Sequence, residues 1–109
     1  MIIMDTWKDS KEYKEIYSRC EELDLINKKT NFSCYTDFCF EFEIEQGDKR
    51  FCFSYVGEEA VVHDAEVKWL LGFNRVLYFS FSEYIMDGYY EDGESKWVRL
   101  NTTHYKPNK

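Results

Sequence analysis

Phe38, Phe40, Phe42 and Ile44 alternate with Cys39, Glu41, Glu43 and Glu45, and this period of two limits what the chain can become more than any other feature. Successive side chains of a strand point to opposite faces, so the pattern predicts one apolar face and one face lined by three carboxylates. Gln46-Gly47-Asp48-Lys49 supplies turn chemistry, after which Phe51, Phe53 and Tyr55 resume the alternation against Cys52 and Ser54. Residues 38–55 therefore read as an antiparallel hairpin, with Gly57 expected to end its second strand.

An apolar sheet face needs a lid, and residues 5–24 are expected to provide it. Tyr13, Ile16, Tyr17, Cys20 and Leu23 recur at helical spacing, and Trp7 extends that stripe. Asp9 followed by Glu12 resembles a capping box, while Asp5 or Thr6 would cap an earlier start. Residues 59–71 fit either a helix over Glu59–Leu71 or a short strand followed by a turn of helix. Val76–Ile85 is apolar at nearly every position and is expected to form a central strand; Asp87-Gly88 and Asp92-Gly93 bracket a tight connection through Tyr89, Tyr90 and Glu91; Trp97–Asn101, or a longer run to Tyr105, returns. Trp7, Trp69 and Trp97 are assigned to the core, with Trp97 the one plausible contact residue. The expected fold is α+β: a mainly antiparallel sheet of four to five strands, with an N-terminal amphipathic helix and room for a second helix on one face, all in a single globular domain over 1–109.

Charge restricts function. Residues 30–67 hold nine Asp/Glu against Lys49 and Arg50, residues 76–94 hold five against none, and the formal net charge is −7. Disorder would need acid without apolar residues, whereas here aromatics interleave with it, so the acid decorates a folded surface. Direct binding of nucleic acid needs clustered Lys/Arg, so the expected partner is a basic protein instead. Residues 95–109 reverse the sign, carrying Lys96, Arg99, Lys106 and Lys109 with no acid. The first residues show neither a basic signal-peptide start nor an apolar run of membrane-spanning length, so a cytoplasmic location is expected. Reduced thiols follow from that location, and Cys20, Cys34, Cys39 and Cys52 are read as small buried hydrophobes; their spacing lacks the C-x-x-C of a zinc site.

No catalytic site, metal or cofactor is predicted. His63 beside Asp64 does not make a base with its orienting partner, because adjacent residues diverge on a strand and lie about 100° apart on a helix. His104 lies near the end of the sequence. The row Glu41, Glu43, Glu45 offers carboxylates side by side, which suits a solvated strand face or, with Asp37 and Asp48, a field that steers a basic partner. Asp87-Gly88-Tyr89-Tyr90-Glu91-Asp92-Gly93-Glu94 combines large, fairly rigid tyrosines with acid, the composition of an interface hot spot with a polar rim.

A small, acidic, aromatic-rich chain of this kind resembles the immunity proteins of bacterial toxin systems, including those of contact-dependent growth inhibition, in size, charge and composition. Asp87-Gly88-Tyr89-Tyr90 is also similar to the acid-then-Tyr-Tyr patch of immunity proteins against DNase colicins, although that family is a four-helix bundle and the 38–55 hairpin departs from it. The resemblance implies a stoichiometric inhibitor of the toxin domain encoded upstream, an RNase or DNase whose cationic active site would meet Tyr89, Tyr90, Glu91, Asp92, Glu94 and Asp87, and then Glu41, Glu43, Glu45, Glu58 and Glu59. Two other classes compete with it. A small-ligand module would use a concave aromatic sheet face, and an enzyme would use a site that no motif marks.

Overall fold

A computed structural model of the chain describes residues 7–35, 39–57, 66–73 and 75–106. Five strands, β1 (Asn31–Tyr35), β2 (Cys39–Gln46), β3 (Lys49–Gly57), β4 (Val76–Tyr89) and β5 (Ser95–Tyr105), form one antiparallel sheet in sequence order. The α+β architecture holds, and the expected 38–55 hairpin is β2–β3, paired from Cys39↔Val56 to Gln46↔Lys49. Residues 31–35, which the sequence reading did not separate from that hairpin, make a further strand against β2.

Register carries the alternation of the hairpin across the sheet. Phe40, Phe42 and Ile44 share a face with Phe51, Phe53 and Tyr55, and then with Phe79 and Phe81, all of them buried. On that face lie Ile16 and Cys20 of helix α1 (Lys11–Glu22), together with Val67, Leu70 and Leu71 of the short helix α2 (Val67–Leu71). Ser10 is the N-cap of α1, its hydroxyl accepting from Tyr13 N–H at 3.0 Å, so the helix begins one turn later than a start at Thr6 would give. Trp7 instead lies in a short 3₁₀ turn over Trp7–Asp9; it stacks on Phe79 with ring centroids 4.8 Å apart and donates Nε1–H to the Leu71 carbonyl at 3.3 Å. That one side chain ties both helical segments to the sheet.

Two expectations change. Trp69 is 44% exposed, because a five-residue helix buries only one side and Val67, Leu70 and Leu71 take it. The helix expected over Glu59–Leu71 spans Val67–Leu71 among the described residues; Glu58, Glu59, His63 and Asp64 lie outside them. Val76–Ile85 forms the expected central strand, between β3 and β5: one face meets the helices, and on the other Tyr78 and Tyr84 are half-buried while Ser80 and Ser82 are buried.

The buried polar group that matters most is Glu83, on the helix-facing side of β4. Arg19 of α1 donates to both of its carboxylate oxygens, Nε to Oε2 and a terminal nitrogen to Oε1, each at 2.9 Å. This fork satisfies a carboxylate that burial would otherwise penalise and fixes α1 over β4. No helix among the described residues is long and apolar enough to cross a membrane.

Candidate interaction arm

The β2–β3 turn ends where Lys49 pairs with Ile85, yet β4 continues to Tyr89 and β5 begins at Ser95. The last residues of β4 and the first of β5 therefore leave the sheet as a two-stranded arm, in a molecule whose principal extents are 59 × 27 × 26 Å. Asp87-Gly88 does not end the strand: an irregularity between Met86 and Tyr89, with Gly88 at φ 84°, lets β4 run through it. Asp87 and Tyr89 are thus strand residues, a correction to the loop expected over 87–94. The turn itself is Tyr90–Glu94, closed by Tyr90 N–H to Glu94 O at 2.7 Å and Gly93 N–H to Tyr90 O at 2.9 Å. Gly93 at φ 91° takes the left-handed position that such a short hairpin loop reserves for glycine, and Asp92 Oδ1 accepts Glu94 N–H at 3.0 Å.

Six large apolar side chains are exposed among the described residues, and five of them, Leu77, Tyr89, Tyr90, Val98 and Leu100, belong to the β4–β5 hairpin, Tyr89 and Tyr90 at its far end. Tyr89 at 63% and Tyr90 at 56% exposure are the most open of the tyrosines whose burial is described and sit beside exposed Asp87, Glu91, Asp92 and Glu94. Lys96 stands over the Tyr90 ring, 5.1 Å from its centroid, and so orients it. The combination is apolar contact area within an acidic rim, carried on a support that meets the body at its base, where Met86 N–H donates to Asp48 O.

The second group of predicted residues behaves differently. Glu41, Glu43 and Glu45 do lie in a row on the uncovered face, but Arg50 pairs with two of them: its Nε is 3.6 Å from Glu43 Oε2 and its terminal nitrogen 2.7 Å from Glu45 Oε1. Arg50 also stacks on Trp97, 4.9 Å from the ring centroid, bracing the base of the arm against β2. The row is thus partly neutralised from within, a pairing that a count of Lys49 and Arg50 against the acids of residues 30–67 does not reveal. Cross-strand register was the signal, since Arg50 falls opposite Glu45 once the 46–49 turn is accepted.

His104 Nδ1 and the Tyr78 hydroxyl are 2.7 Å apart on the open face. Cys20 is buried, Cys39 and Cys52 are half-buried, and all three are free thiols. Burial, reinforced by the nearby Glu83 charge, pushes the Cys20 thiol up to about 12, and burial with Glu43 raises Cys52, so neither is an activated nucleophile. No group of three His, Cys, Asp or Glu among the described residues is arranged to hold a metal ion. The aromatic sheet face is core: Phe40, Phe53, Tyr55 and Phe79 are buried. Compared with protein-family models, curated proteins and solved structures, the chain has no match.

Proposed function

We propose that this chain is a cytoplasmic immunity protein that binds a cationic toxin domain through the β4–β5 arm and neutralises it by occlusion. One observation carries the reading: Tyr89 and Tyr90 are held out at the tip of a projecting hairpin, ringed by Asp87, Glu91, Asp92 and Glu94. Burying such tyrosines on a partner gains the area that the fold leaves exposed, and the acid around them favours a basic surface and speeds encounter. A nuclease active site fits because its cations are arranged for phosphate, whose place the carboxylates would take. Glu41 and the Arg50-bound Glu43 and Glu45 form a secondary field rather than the centre of contact.

The test is capture with the domain encoded immediately upstream, followed by calorimetry of the native chain and of Glu91→Lys combined with Glu94→Lys. The reading expects a one-to-one complex that weakens as salt rises and a loss of at least about a hundredfold in affinity for the double variant at unchanged thermal stability. A silent titration, or equal affinity in the variant, rejects it.

A further inference from the structure

Among the described residues the sheet has an unpaired edge at β5, and its backbone can be read from register. Gln46 and Lys49 flank the two-residue turn Gly47-Asp48, the position at which hairpin partners exchange both backbone bonds, so odd-numbered residues of β3 bond to β2 and even-numbered ones to β4. Met86 N–H donates to Asp48 O at 2.7 Å, which directs the even-numbered residues of β4 toward β3 as well. Phe79, Phe81 and Glu83 then bond β5 through Tyr105, Thr103 and Asn101. Thr102 and His104 are left with N–H and C=O directed outward, and no described segment pairs with them.

Two observations bear on what would fill that edge. Residues 95–106 carry Lys96, Arg99 and Lys106 and no acid, a basic strip on an acidic protein. Like charges on two copies of this edge oppose their pairing, while acidic side chains on a guest strand would complement it, and at physiological salt the contrast stays local because screening acts over about 8 Å. Beside the strip, an open groove of about 850 Å³ runs between the outer side of α1, where Lys11, Lys14 and Arg19 are balanced by Asp9, Glu15 and Glu22, and Asn101 and Thr103 of β5; the charge selection therefore comes from the strip and not from the groove. Side chains on one face of an added strand would lie in it. The irregularity in β5 between Arg99 and Asn101 confines such pairing to the stretch from Asn101 onward.

We propose that the outer edge of β5 takes up an extended, acidic segment of a partner protein as an additional strand. The main chain at Thr102 and His104 supplies the hydrogen bonds, and Arg99 and Lys106 select the charge. This surface is separate from the arm tip and does not depend on the function assigned to it.

The probe is an octapeptide of alternating Glu and Val, with a Lys-Val octapeptide as control, added to the full chain and followed by NMR amide exchange. In the free protein the amides of Thr102 and His104 should exchange at least about tenfold faster than those of Thr103 and Tyr105, and the acidic peptide should slow them selectively. Thr102→Val, which loses the hydroxyl contact to Ser82 but keeps the N–H, should bind as the native chain does; Thr102→Pro should weaken binding about tenfold. Glu91→Lys with Glu94→Lys should leave peptide uptake intact. Failure of the acidic peptide to bind, equal uptake of the Lys-Val peptide, or unchanged affinity in Thr102→Pro overturns the proposal. So does sedimentation showing a dimer that Thr102→Pro dissolves, because a second copy would then hold the edge.

Discussion

Strands β4 and β5 lead two lives within one hairpin. Over Phe79–Glu83 the inward side chains of β4 are buried beneath α1 and Trp7, whereas past Ile85 the same hairpin carries Tyr89 and Tyr90 into solvent. The two strands stay paired on both sides of irregularities at Glu83/Tyr84 and Met86/Tyr89, and the halves differ in what covers them. Burial makes the body's aromatics responsible for stability, and exposure leaves the arm's aromatics with little to contribute to it. Stability and recognition should therefore respond to different substitutions, and the contrast can be attacked from either half.

The largest effect belongs to the body. Phe53→Ala removes a buried ring packed against Phe81 at a centroid distance of 5.0 Å, and denaturant unfolding should show a loss of about 3–5 kcal/mol. Next is Glu83→Gln, which ends the charged fork with Arg19 and should cost roughly 2 kcal/mol, Arg19 being exposed enough to recover hydration. Cys20 tests burial through pH. Its thiol rises from 9.0 to about 12 on folding, so the folded state keeps a proton that the unfolded state loses. Stability should be intact below pH 9 and fall by at most about 1.4 kcal/mol per pH unit from there toward 12, a slope that Cys20→Ala should remove. The smallest effect, about 1 kcal/mol or less, is expected for Arg50→Gln, which frees Glu43 and Glu45 and unstacks Trp97; hydrogen exchange should show the base of the arm loosening while the Phe53 region stays protected.

Legibility in the sequence followed the same division. The hairpin over 38–55 could be read because alternation depends only on neighbouring residues and survives any packing above it. Helix α1 was legible by its stripe but not by its start, because Asp9 and Ser10 are both capping residue types and only the geometry, with Ser10 bonded to Tyr13 N–H, decides between them. Trp69 was misassigned because which side of α2 faces inward is set by the sheet beneath, not by composition. At the arm, acid and tyrosine were visible, but Asp87-Gly88 reads locally as a turn, and only pairing with β5 carries the strand past it. The neutralising role of Arg50 needed register as well, since its partners Glu43 and Glu45 lie across the turn on the neighbouring strand.

The most direct test of the division is Tyr89→Ala combined with Tyr90→Ala, with thermal unfolding and calorimetric titration against the upstream domain measured on the same preparation. An unchanged melting temperature together with a loss of at least about a hundredfold in affinity is the predicted result. A variant that melts several degrees lower, or one that binds as tightly as the native chain, would contradict the assignment of recognition to the arm.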